Sequence, residues 1–149
     1  MIPSNISVPI CIEKGSIYHY RIKLKNRDGS DYDGERFFIV INTNPKTDEI
    51  LVLTTITSKI EKQELYVKKI GEDPDTLVKI SKNDFSCLTK DSVINCSNIY
   101  TSTMNKLIED IDNGGKIFYE KLPKNIIDAI TSGVLKSKLV PSEYKKLII

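Results

Sequence analysis

The sequence predicts an α+β protein, mainly β, built as a small β-barrel or curled sheet with helices packed against it. Two observations carry that reading. Five or six short segments of β-type composition fill the first two thirds of the chain, and two stretches with apolar residues at helical spacing follow them. The 149 residues suit one domain with a real core and are too few for two.

The segment "SIYHYRIKL" at 16–24 alternates loosely and carries Ile, Tyr and Leu, so it reads as a half-buried strand. "KNRDGSDYDGE" at 25–35 is glycine-containing, acidic and almost without apolar residues, which reads as a long polar loop. Loops of that length inside a compact domain are more often functional than decorative. "RFFIVIN" at 36–42 reads as a buried strand, and "TNPKTDE" as a turn around Pro45. "ILVLTTIT" at 50–57 reads as a second buried strand, pairing antiparallel with the first. "ELYVKKI" at 64–70 and "TLVKIS" at 76–81 read as two shorter strands around the turn "GEDPD", and "DSVINC" at 91–96 closes the β-rich part.

The character then changes. In "STMNKLIEDI", Met104, Leu107, Ile108 and Ile111 recur at helical spacing behind an N-cap at Ser102 or Thr103. Gly114 and Gly115 break the chain. In "PKNIIDAITSGVLKSK", Ile126, Ile127, Ile130 and Val134 mark one helical face, and Pro123 suits a helix start. The tail "PSEYKKLII" reads as one last helical turn ending in exposed aliphatics. No repeat or low-complexity segment appears.

Composition narrows the function classes. A formal charge of +2 does not by itself point to a polyanion, so a basic site must come from local clustering. No apolar run approaches the length of a membrane span, and "MIPSNISVPI" does not read as a signal peptide, so a cytoplasmic protein is expected. Cys11, Cys87 and Cys96 are an odd count without a C-x-x-C pair, which fits reduced thiols better than a disulfide scaffold. A single histidine, His19, excludes a two-histidine catalytic pair, and with so few cysteines a structural zinc site is not expected.

The chemistry-bearing residues gather at one corner. "LVLTTITSKI" at 51–60 begins aliphatic and then turns to Thr54, Thr55, Thr57 and Ser58, while Arg36 opens the neighbouring aliphatic run. If the two runs pair antiparallel, Arg36 falls near Thr57, and the polar loop enters at the same corner. Arginine offers a planar, permanently charged fork suited to phosphate. A threonine hydroxyl donates to a phosphoryl oxygen, and a carboxylate accepts a hydroxyl proton. Such a set suits RNA cleavage in which the substrate's own 2′-hydroxyl attacks the adjacent phosphate. A structural explanation stands beside it: β-branched residues favour sheets, and an arginine at a strand start commonly just reaches solvent. Lys23, Lys25, Arg27 and Lys59 could follow a phosphate backbone, and Tyr18, Tyr20, Tyr32, Tyr66 and Tyr100 could stack on bases.

These residues resemble the PemK/MazF toxins of bacterial toxin–antitoxin systems. "GSDYDGER" at 29–36 is similar to that family's G-S-E-Q-x-G-x-R motif, "ITS" at 56–58 to its I-T-S-like motif, and "DSVINCSNIYTSTMNKL" at 91–107 to the D-S-V-I segment and the helix after it. The resemblance covers most of residues 14–110. It implies an SH3-like barrel with a core at about 14–112 and a helical extension at 113–149. It implies a homodimer that cleaves single-stranded RNA, usually mRNA, with neither metal nor cofactor, under the control of a cognate antitoxin protein. Arg36 and Thr57 match the catalytic arginine and threonine, and Ser30 and Asp31 match the serine and acidic residue of the adjoining loop. Arg36 would stabilise charge, Thr57 and Ser30 would orient the phosphate, and Asp31 is a candidate proton acceptor. Ser58, Lys59, Lys25 and Arg27 would complete substrate binding. The chain differs from the family in Phe37, where a proline usually follows the arginine, and in "YTST" at 100–103, where some members have R-T-x-D. Two other functions share the expected fold: a gyrase poison without nuclease activity, and a catalytically silent binding module.

Overall fold

The computed structural model describes residues 2–25, 31–118 and 120–149, with the backbone alone for 21–25 and 31–35. Helix α1 (Ser4–Cys11) leads into β1 (Ile17–Lys25), β2 (Asp31–Val40) and β3 (Leu51–Thr57). Helix α2 (Ile60–Ile70) and a 3₁₀ turn at Pro74–Thr76 precede β4 (Leu77–Ile80), β5 (Ser92–Asn95) and β6 (Tyr100–Ser102). Helix α3 (Met104–Asp112), β7 (Lys116–Phe118), α4 (Lys124–Lys136), α5 (Ser142–Lys145) and a 3₁₀ turn at Lys146–Ile148 complete the chain.

The strands form one antiparallel sheet in the order β4-β5-β3-β2-β1-β7, with β6 also on β3. The fold is therefore α+β, with a seven-stranded sheet and five α-helices among the described residues. It is not the closed barrel expected: among the described residues no pairing joins β4 to β7, so the order has two ends. Strand β3 is the pivot. Leu51–Leu53 pair with β6, Leu53–Thr55 with β2, and Ile56–Thr57 with β5. β5 and β6 are thus one interrupted strand along a single edge of β3, separated by the turn at 96–99.

Each face of the sheet carries its own core. On one, Tyr18, Phe38, Val40, Leu51 and Leu53 meet Val8 and Ile12 at α1 and Leu107 of α3. On the other, Ile17, Ile39, Val52, Ile56 and Ile94 meet Ile130 and Val134 of α4, with Phe85, Val140 and Ile148. Strand alternation explains the sorting, because neighbouring residues point to opposite faces. The helices beyond residue 112 thus complete the second core. Gly133 permits the approach of α4: a Cβ there would sit 2.7 Å from the Asp75 carbonyl oxygen and 2.9 Å from Cys96 Sγ.

Several expectations are corrected. The segment 64–70 is helical, as part of α2. Its β-type residues mislead because the helix begins four residues earlier, buries Val67, and ends in a Schellman motif. There Gly71, at φ +71°, donates to the Lys68 carbonyl, and Glu72 N–H donates to the Val67 carbonyl. The polar stretch 25–35 is not all loop either. Lys25 closes β1 and 31–35 open β2, paired in register from Ile17↔Ile39 to Lys25↔Asp31. That register sets residues of opposite charge against each other (Arg21↔Glu35, Lys23↔Asp33), a pattern that favours strand pairing despite low hydrophobicity. At the tail Ile149 is exposed, but Ile148 is fully buried. Helix α1, β6 and β7 are elements the sequence pattern does not announce.

Candidate functional site

Arg36 and Thr57 arrive at the site by strand register. β2 and β3 pair as Val40↔Leu53, Ile39↔Thr54 and Phe38↔Thr55. Continuing that register two residues sets Arg36 level with Thr57. Both share the alternation of Phe38, Val40, Leu51 and Leu53, so they belong to the face covered by α1 and α3. Both lie beyond that cover and are half-buried. On this face of β3, Leu51, Leu53 and Thr55 are buried and Thr57 is half-buried. Thr54 is different: it belongs to the opposite face, is fully buried, and its hydroxyl has no hydrogen-bond partner among the described residues.

The pairing between β2 and β3 stops just before the two residues. Arg36 is held instead by pairing with Tyr20 of β1, and Thr57 by pairing with Val93 of β5. Arg36 and Thr57 thus stand on two separately anchored strands, on the same face, where β2 and β3 stop pairing. The Thr57 hydroxyl accepts a hydrogen bond from the Lys59 backbone N–H at 3.2 Å, which fixes the turn into α2. Ser58 and Lys59 are exposed, with Lys59 at the N-cap of α2.

The same face carries two of the tyrosines that the sequence suggests for stacking, Tyr20 and Tyr100, and a cation that it does not single out, Lys106. Tyr20 shares the face of Tyr18, and the Lys106 ammonium lies over its ring at 5.9 Å. Lys106 is held by Asp110 at 2.8 Å, and that hydrogen bond raises its pKa. Tyr100 packs edge-on to Phe38 with ring centroids 5.9 Å apart. Cationic groups interleaved with aromatic rings are the usual surface for a single-stranded nucleic acid. Lys106 escapes a sequence reading because helical periodicity marks only the buried side of α3. Thr103 caps α3 by accepting from the Lys106 N–H at 3.1 Å.

The other expected site residues are not placed in this group by the described residues. Ser30 and Arg27 lie outside the described residues, and Lys25 and Asp31 are described by backbone alone, paired with each other. Asp31 lies five residues along β2 from Arg36, about 16 Å at the rise of an extended strand. Its position as proton acceptor beside the arginine is therefore not supplied by this strand geometry.

Among the described residues no group of three or more His, Cys, Asp or Glu is placed to hold a metal ion. No helix among them is long and apolar enough to cross a membrane. No protein-family model matches the chain, and no curated protein matches it. Fold and site thus define a class by geometry: an open antiparallel α+β sheet with an arginine and a threonine at the seam between two of its strands.

Proposed function

We propose that the protein is a metal-independent, sequence-selective endoribonuclease toxin that cleaves single-stranded RNA, mRNA above all, and is neutralised by a cognate antitoxin. The observation that carries this reading is the β2–β3 register, which sets Arg36 level with Thr57 on one face where the strands cease to pair. The motifs resembling the PemK/MazF toxins fall on these two residues, and Tyr20 and Lys106 add an aromatic and a cationic group beside them. The reading takes β1 to β6 as an SH3-like core and the functional unit as a cytoplasmic homodimer.

In the reaction the substrate's 2′-oxygen forms a bond to the adjacent phosphorus as its proton leaves, and the bond from phosphorus to the 5′-oxygen breaks. The products are a 2′,3′-cyclic phosphate and a 5′-hydroxyl that has taken up a proton. Arg36 stabilises the charge that builds on the phosphorane, and Thr57 orients a non-bridging oxygen. The nucleophile is the substrate's own, so no nucleophilic side chain is needed.

The test is incubation of purified protein with a mixed-sequence single-stranded RNA in EDTA, beside Arg36→Ala checked for folding by circular dichroism. Cleavage with cyclic-phosphate ends, reduced about a hundred- to a thousand-fold in the variant, is expected from the loss of one placed electrostatic group. Equal cleavage by both proteins, or none by the folded wild type across varied RNAs, refutes the reading.

A further inference from the structure

On the opposite face from Arg36 and Thr57, the same strand ends line a cavity of about 270 Å³. Phe37, Ile56 and Leu88 form its apolar walls, and Ser58, Thr89 and Lys90 supply polar groups. Phe37 follows Arg36 in the chain, and Ile56 and Ser58 flank Thr57. The cavity and the arginine–threonine pair are therefore the two sides of one seam. Among the described residues β2 and β3 do not pair beyond Phe38↔Thr55, so backbone hydrogen bonds do not close that seam between them.

The cavity has the attributes of a pocket for one planar heterocycle. Its volume falls just short of the range of about 300–1,000 Å³ that accepts drug-sized ligands. The Phe37 ring is fixed by His19 at 4.7 Å, Phe85 at 5.5 Å and Phe118 at 5.9 Å. A fixed ring among aliphatic walls is a stacking surface that is already organised before a base arrives. The polar groups favour acceptors on the ligand. The Lys90 ammonium can only donate, and the Ser58 and Thr89 hydroxyls can donate as well. The Ser92 hydroxyl is already committed to the Lys90 carbonyl at 3.0 Å. At the 4 or 6 position uracil and guanine present a carbonyl oxygen to such donors, whereas cytosine and adenine present an amino group there that Lys90 cannot match.

We propose that this cavity recognises uracil or guanine, the bases with a carbonyl at position 4 or 6, in a single-stranded RNA whose neighbouring phosphate lies at Arg36 and Thr57. The inference rests on the ribonuclease reading and adds to it the source of sequence selectivity.

Its test needs no cleavage. Heptanucleotides of 2′-O-methyladenosine, in which the attacking hydroxyl is blocked, are prepared with uracil, guanine, adenine or no base at the centre. Binding is followed by fluorescence anisotropy. Occupancy is read from iodoacetamide alkylation of Cys87, an exposed thiol that lines the cavity, with exposed Cys11 as the internal control. Uracil or guanine is expected to bind about tenfold tighter than the abasic site, the size of one base–aromatic contact, and about tenfold tighter than adenine, the discrimination carried by one hydrogen-bonding edge. The complex should slow alkylation of Cys87 and leave Cys11 unchanged, and Lys90→Ala should bring guanine, uracil and adenine to near-equal affinity. Tight binding with no base preference, or with Cys87 alkylated at its free rate, overturns the pocket while leaving the nuclease reading intact. Failure of every oligonucleotide to bind, together with no RNA cleavage by the wild type, overturns both.

Discussion

Glu72 offers the sharpest test of how this fold holds together. It is a buried carboxylate, 7% exposed, at the turn after α2. Its Oε2 accepts hydrogen bonds from the hydroxyls of Ser97 and of Ser137, the latter at 2.6 Å, and its Oε1 accepts from the Lys138 N–H at 2.9 Å. Three separate segments are thereby tied to one side chain: the exit of α2, the turn between β5 and β6, and the end of α4. Burial acts to raise the carboxyl pKa, but the hydrogen bonds from Ser137, Ser97 and Lys138, with the Lys138 charge, outweigh it and hold the pKa below the ordinary value of 4.5. Replacing the carboxylate by an amide, Glu72→Gln, keeps the shape and removes the charge. One carbonyl oxygen can still serve the two hydroxyls, as neutral bonds about half as strong as charged ones. The amide nitrogen then faces the Lys138 N–H, donor against donor, so a bond to a charged group worth about 1.5–3 kcal/mol is lost. The expected sum is a destabilisation of about 2–4 kcal/mol, or roughly 5–15 °C in Tm for a chain of this size. The assay is urea unfolding at pH 7 and again below pH 4.5. A carboxylate with a depressed folded pKa adds stability above its unfolded pKa and loses it as pH falls through the folded value. Wild type should therefore lose its advantage over the glutamine variant as the solution is acidified below about pH 4.5. A variant as stable as wild type at pH 7, or a difference that persists unchanged in acid, would refute the reasoning.

Three further outcomes are expected. Thr54→Val should stabilise the protein by about 1 kcal/mol, because a buried hydroxyl with no partner among the described residues is replaced by a methyl of like shape; a lower urea midpoint would contradict it. Gly133→Ala should destabilise by about 1–3 kcal/mol, since the added carbon meets the Asp75 carbonyl and Cys96 Sγ; an unaltered midpoint would mean that α4 does not pack this closely. Burial pushes the Cys96 thiol up to about 12, so at pH 8 it should stay unalkylated in the folded protein while Cys11 and Cys87 react; mass spectrometry of the alkylated peptides decides this, and modification of Cys96 at the rate of the exposed thiols would refute it.

Much of the framework was legible because its determinants are local. The aliphatic runs at 36–42 and 50–57 are strands, and the N-cap of α3 is Thr103, whose hydroxyl accepts from Lys106 three residues on. The segment 64–70 shows where local reading fails. Tyr66, Val67 and Ile70 have strand-like character, yet Ile60 through Ile70 close into a helix because Val67 has a core to enter and Gly71 can adopt the left-handed turn that ends it. The hairpin β1–β2 fails in the other direction, since a polar composition that suggests a loop is overruled by a cross-strand register that composition does not display. Within the site, the sequence marked Arg36 and Thr57, but Phe37, Leu88 and Lys90 came together only through folding.

By itself, then, the sequence determined the core strands at β1, β3, β4 and β5 and the helices α3 and α4, since propensity, capping and alternation act over a few residues. The tertiary structure decided the rest. Register made Arg36 level with Thr57 and moved Asp31 along the strand, while the open strand order replaced the expected barrel. Packing sent Thr54 into a core and Thr57 to a seam, although they stand three residues apart in one strand. Those outcomes depend on partners many residues away in the chain, and no local pattern carries that information.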